Sequence, residues 1–295
     1  MRMPMVFLQG PWKLSMGLSA LDPADWLWVD ERFAVETAQR AALVRERPDE
    51  VHAMLPGAEA AAEELLALVL AQRAARGLPD VLGLPGAPAA GVPPLLALAP
   101  LAQEDFCLMQ KRSDGTYALT AAILCFPQHW RLADKIGRPM AEIHAPVPGF
   151  NAKLGAPAER LFTTLAVERP VWRANWGLVE DPDLFHPGKR DPMPDLTAAN
   201  AGERLWLRVE RQTLRRLPVS HAVVFTIRTL IRPLAEVARD PAVALAMAER
   251  LRELEPGMAA YKGLPLLGEP VLAFLDAQAQ KAGAARAQEH AAGAR

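Results

Sequence analysis

Single histidines, two cysteines and a few charges set in apolar strands are the residues of this 295-residue chain that could do chemistry. The histidines are His52, His129, His144, His186, His221 and His290. No HExxH or HxH spacing joins any two of them, so the helix-borne pair that holds a catalytic zinc is absent. No GxSxG elbow presents a serine nucleophile. Cys107 and Cys125 stand in apolar runs without a CxxC pair. That excludes a four-cysteine zinc site or an iron–sulfur cluster on this chain. It also favours buried structural thiols over a cysteine nucleophile. What remains are histidines acting alone, and haem iron needs only one.

His144 is the best placed of them. It ends the stretch "LCFPQHWRLADKIGRPMAEIH", and the chain then runs Ala145-Pro146-Val147-Pro148-Gly149. The prolines stiffen the exit and push the residues before them out of the helical region. Two readings stand for this histidine. It is a helix stop near the negative end of the dipole, or a ring held for a ligand. Glu210, Arg211 and Arg228 lie in "LRVERQTLRRLPVSHAVVFTIRTL" among apolar neighbours. A charge in such a strand is usually paired, because burying it alone is costly. Either a Glu–Arg pair pins the hairpin, or the charges position a carboxylate or polarise a bound ligand. Arginine suits carboxylates better than lysine does. In "WRANWG", alternation puts Trp172 and Trp176 on one strand face and Arg173 and Asn175 on the other. The tryptophans serve as core or as walls for a flat apolar ring.

The elements that must position these residues follow from periodicity. Within residues 23–55 a helix is expected, with Asp22 or Asp25 as cap and Phe33, Val35, Ala38, Ala42 and Val44 recurring at helical spacing. A stronger helix spans 57–79 and stops at Gly77 and Pro79. A proline-rich connector covers 80–100, and its leucines need burial. Two apolar runs flank Ser113-Asp114-Gly115, a hairpin signal. Residues 130–144 read as a short interrupted helix, 169–179 as a strand, and 180–203 as loop. The period-two run from Arg204 and the run from His221 make a second antiparallel hairpin around Pro218–Ser220. The remainder is helical, with an Ala/Gly-rich tail. Helices, then antiparallel strands, then helices make an α+β fold rather than a doubly wound sheet.

Composition narrows the function class. Net charge is −1, with 51% hydrophobic and 23% charged residues. That is a globular make-up without the basic face of a nucleic-acid binder. No GxGxxG follows a strand and no P-loop occurs, so a nucleotide site is not supported. The N-terminus lacks the pattern of a signal peptide, and no uncharged apolar stretch reaches about 18 residues outside proline-rich sequence. The expectation is a cytoplasmic protein with no membrane partner.

The blocks "LCFPQHWRLADKIGRPMAEIHAPVPGF", "WRANWG" and "LRVERQTLRRLPVSHAVVFTIRTLIRPL", with "MGLSALDPADWLWVDERF" and "LPGAEAAAEELLALV" before them, closely resemble those of the DUF3445 family, the haem-dependent oxidative N-demethylase-like proteins. The likeness spans roughly residues 10–270. It implies a haem b-binding α subunit with a PAS-like antiparallel sheet flanked by N- and C-terminal helices. It implies a single haem domain, here 1–275; the Ala-, Gly-, Gln- and charge-rich composition of 276–295 reads as a flexible tail. The likeness implies a monooxygenase-type oxidative N-demethylation of a small secondary amine, dimethylamine-like, using O₂. His144 matches the histidine of the IHAPVPG block and takes the axial-ligand role, with His129 as the alternative. Trp130, Trp176 and Arg211 are expected around the cofactor, and Glu210 and Arg228 as the catalytic pair that orients substrate or handles protons. Electrons must come from a separate reductase carrying flavin, iron–sulfur and NADPH sites, since this chain shows none of those motifs. The rival class is a non-catalytic PAS-type haem sensor of a gas or ligand.

Overall fold

The computed structural model describes residues 3–5, 8, 10–78, 91–190 and 192–293, with side chains to 281. A seven-stranded antiparallel sheet organises them. Its strands are β1 (Ser19–Ala20), β2 (His52–Met54), β3 (Asp105–Lys111), β4 (Tyr117–Ile123), β5 (Val171–Val179), β6 (Trp206–Arg216) and β7 (Val223–Pro233), in the spatial order β1-β5-β6-β7-β3-β4-β2. Both expected hairpins form. Gly115, at φ 88°, turns β3 into β4, a conformation that glycine adopts without steric cost. Leu217 N–H donates to Ala222 O at 2.8 Å to close the β6–β7 turn. The fold is α+β, as the order of periodic segments requires.

Alternation gives this sheet two distinct faces. On the front, Cys107, Met109, Leu214, Val223 and Ile227 pack under residues 140–165, against Met140, Phe150, Leu154 and Phe162. On the reverse, Phe106, Leu108, Ile123 and Val224 meet Leu65 and Val69 of the Glu59–Ala75 helix. Further along that reverse face, Trp176, Leu178, Leu207 and Val209 meet the Pro241–Arg252 helix and the last helix, Leu264–Gly293, through Met247, Leu251 and Val271. No described helix is long and apolar enough to cross a membrane. Of the connector's described leucines, Leu95 and Leu98 are buried and Leu96 is part-buried, while 79–90 lie outside the described residues. Most of the expected 276–295 tail lies outside the described side chains too.

The first helix departs from its sequence pattern. It runs Phe33–Glu46, and a short helix, Pro48–Val51, then leads into β2. Its buried positions are Glu36, Thr37 and Arg40, while Val35 is 64% exposed. Asp22 caps only a short 3₁₀ turn, Pro23–Asp25. The physical reason lies under the helix. β6 and β7 put Arg211 directly opposite Arg228 on the reverse face, and both are buried. Two like charges across a strand pair repel unless acceptors surround them. Arg228 pairs with Asp30 at 2.6 Å and Glu36 at 2.8 Å. Gln103 ties those carboxylates together, donating to Asp30 at 2.8 Å and to Glu36 at 2.7 Å. Arg211 donates to the carbonyls of Trp26 at 3.0 Å and Asp25 at 2.8 Å, with Trp28 and Trp172 against its guanidinium. Arg40 pairs with Asp105, which also accepts from the backbone N–H groups of Cys125 and Phe126. A polar helix face is therefore buried because the sheet beneath it is cationic.

Removing Arg228 leaves two carboxylates buried without their counter-charge. Arg228→Met is expected to lower unfolding free energy by about 3–5 kcal/mol, read from urea denaturation midpoints at constant m-value. A loss below about 1 kcal/mol contradicts the clamp.

Candidate functional site

The front face of β5 and β6 carries a polar patch inside an otherwise apolar layer. Register aligns Arg173 with Gln212, Asn175 with Glu210 and Gly177 with Arg208. Val171 and Leu214, one step along, belong to the cluster that contains Phe150 and Leu154 and into which Trp130, Ile143 and Val147 pack. The chain over this patch descends from the Met140–Ile143 helix. His144 is its C-cap, and Gly149 then turns the chain at φ 74° toward a π-helical turn, Asn151–Gly155, and the Ala156–Thr164 helix.

The His144 ring is fixed on two sides. It stacks on Phe150 with centroids 4.1 Å apart and planes at 12°. Its Nδ1 lies 2.9 Å from Met140 O. A carbonyl only accepts, so Nδ1 carries the proton and Nε2 keeps its lone pair. No described residue hydrogen-bonds that Nε2. Burial holds the His144 pKa below its ordinary value, outweighing the Met140 hydrogen bond, and the nearby charges of Lys135 and Arg173 push the same way. A neutral imidazole with Nδ1–H on a backbone carbonyl and Nε2 free is the form that binds a metal.

His129 shares much of this chemistry at another place. Its Nδ1 lies 3.1 Å from Gly188 O, and its Nε2 is buried without a partner. Its backbone sits at φ 58°, sparsely populated for a residue with a side chain, and its ring lies 6.0 Å from that of His186. Gly177 lets the segment approach the sheet, since a Cβ there would stand 3.3 Å from Gln128 Nε2.

Four further groups complete the patch. Glu210 is a half-buried carboxylate 3.4 Å from Arg208 Nε, accepting from Gln212 at 3.1 Å. Lys262 closes the outer edge of β5, donating to Trp176 O at 2.6 Å. Burial lowers its pKa to about 8 despite the opposing charge of Glu210. Tyr261, beside it, has its phenol pushed up by burial and by Glu210. Arg173 is half-buried, with Nε shut away from solvent and unpartnered.

The structure therefore divides the residues that the sequence singles out. His144, Trp130 and Glu210 belong to the front, while Trp176, Arg211 and Arg228 belong to the reverse. Glu210 and Arg228 do not pair across the hairpin. Glu210 sits opposite Thr229, so its neighbour Arg228 points the other way. Arg211 and Arg228 are occupied by residues 25–36, and Trp176 is in the core beside the Pro241–Arg252 helix. Periodicity missed Lys262 and Tyr261, which arrive from a distant helix with no local signal. Arg173 was visible in the alternation of "WRANWG", but not its lack of a partner. Cys107 and Cys125 are buried, and burial raises both thiol pKa values, which leaves them inert as nucleophiles. Among the described residues no group of three or more His, Cys, Asp or Glu is arranged to hold a metal ion, so a metal here would come within a cofactor that needs one protein ligand.

Because the neutral form is favoured in the fold, the unfolded chain takes up a proton on His144 more readily. Stability then falls as pH drops below the ordinary histidine value of 6.5 and continues to fall down to the lowered folded-state pKa, by up to about 1.4 kcal/mol per pH unit for this group. Urea midpoints measured from pH 7.5 to 5 check this. His144→Gln, which retains a donor for Met140 O, is expected to flatten part of the decline; an unchanged slope would contradict the buried neutral ring.

A family model described as haem-dependent oxidative N-demethylase, alpha subunit-like, matches residues 17–272.

Proposed function

The chain belongs to the haem-dependent oxidative N-demethylase alpha-subunit-like family, and we propose that it binds haem b through His144 and oxidatively demethylates a small secondary amine of the dimethylamine type. The observation that carries this reading is the His144 ring, with Nδ1 held at 2.9 Å by Met140 O and its plane stacked on Phe150. It is a preformed, neutral, single metal ligand. Trp130 supports the same wall from the Phe150 cluster. His129 is the alternative ligand. The PAS-like description of the sheet belongs to the same proposal.

Bound haem would supply O₂ activation and one-electron chemistry. The net reaction takes dimethylamine, O₂, two electrons and two protons to methylamine, formaldehyde and water. The chain's own part is to hold, orient and move protons. Met140 O fixes the tautomer of His144, and Phe150 fixes its plane. Glu210 lies on the same sheet face, held by Arg208 and Gln212, and we assign proton handling and amine orientation to it. Arg228, whose guanidinium is taken up by Asp30 and Glu36, serves the fold in this reading. The two electrons come from a separate reductase with flavin, iron–sulfur and NADPH sites.

Haem-loaded protein supplied with a chemical electron donor, O₂ and dimethylamine is expected to release formaldehyde. Glu210→Gln should lower that rate by about 10²-fold with haem content unchanged. Absence of formaldehyde from haem-replete protein sinks the demethylase reading, and a full rate in Glu210→Gln removes Glu210 from it.

A further inference from the structure

The front-face patch is short of negative charge. Arg173, Arg208 and Lys262 stand around one carboxylate, Glu210. Arg208 is already satisfied, by Phe126 O at 2.5 Å, Leu184 O at 3.1 Å and Thr229 at 3.2 Å as well as by Glu210. Lys262 is held by Trp176 O. Arg173 is different. It makes no hydrogen bond, ion pair or ring contact with any described residue, and its Nε is buried. Glu210 is near enough to act on its charge but does not pair with it. On the reverse face Arg211 and Arg228 are met by carbonyls and carboxylates, and Arg215, whose Nε and Nη1 lack hydrogen-bond partners, lies 4.8 Å from the centroid of the Trp26 ring; Arg173 has neither kind of answer. Leaving a half-buried guanidinium unanswered costs stability, and planar bidentate donors are suited to carboxylates.

We propose that Arg173 is a carboxylate anchor of the His144 site, answered only when a ligand is bound. This rests on the reading of that site as a ligand pocket. Arg173 shares a sheet face with Val171 and Leu214, which pack in the cluster of Phe150, the ring on which His144 stacks. A carboxylate can reach it from two sources, a propionate of the porphyrin or the acid group of an N-methylated amino acid substrate. A simple dialkylamine offers none.

Metal-free protoporphyrin IX removes iron ligation from the test. Followed by tryptophan quenching, the full chain is expected to bind the diacid at least about tenfold more tightly than its dimethyl ester. Arg173→Gln should erase that preference, and His144→Ala should keep it. If the wild-type chain shows no such preference, the amino-acid source is read from haem-loaded protein: N,N-dimethylglycine shifts the Soret band of the wild type and not of Arg173→Gln, and dimethylamine shifts both alike. Apo Arg173→Gln should melt no lower than the wild type, since a charge without a partner is lost. The proposal is overturned if neither ligand discriminates through Arg173, or if apo Arg173→Gln melts several degrees lower, as a structural arginine would. A diacid preference that depends on Arg173, in a protein whose Soret band ignores His144, would uphold the anchor while removing the iron ligand.

Discussion

Burying a guanidinium demands an answer to its charge, and much of this chain's architecture supplies those answers. Arg211 and Arg228 face one another across the central hairpin on the reverse side of the sheet. Between them they take up two backbone carbonyls, Asp30 and Glu36, with Gln103 tying the carboxylates together. That requirement pulls residues 25–36 across the sheet and turns a polar helix face inward. Arg40 and Asp105 do the same where β3 begins. The reverse face is thereby closed, both by ion pairs and by two apolar helix layers.

The front side follows the opposite rule. His144 is anchored at one nitrogen and open at the other, and Arg173 has no hydrogen-bond or ion-pair partner among the described residues. Buried polar groups in folded proteins are nearly always satisfied, so groups that are not are natural contacts for a ligand. The single-ligand requirement of haem explains how a chain with scattered histidines and no described metal cluster fits a family defined by haem-dependent demethylation.

Much of the frame was legible in the sequence, for local reasons. The two hairpins announce themselves by alternation and by turn residues, and His144 by the prolines after it. Alternation in "WRANWG" separated the tryptophans from Arg173 and Asn175 correctly. The Phe33–Glu46 helix forms where the apolar spacing places it, but it buries its polar face, because the cationic sheet beneath it, visible only in the tertiary fold, outweighs that spacing. β2 carries no sequence signal because three residues are too few to show a period. The Ala156–Thr164 helix is missing from the sequence reading although Leu154, Ala158, Phe162 and Leu165 recur at helical spacing and are buried; a π turn precedes it in place of a capping signal. The placing of Glu210 and Arg228 on opposite faces is a matter of register. One residue of slip would exchange the two faces, and the register is settled by the closed turn between Leu217 and Ala222.

The role of His144 as the iron ligand is tested most directly by absorption spectroscopy of the haem-supplied chain. The purified wild type should show a Soret band, His144→Ala should lose or shift it, and His129→Ala should leave it in place. A Soret band untouched in His144→Ala and lost in His129→Ala would move the ligand to the segment beside Gly177. Folded wild-type protein with no Soret band would contradict the haem site altogether.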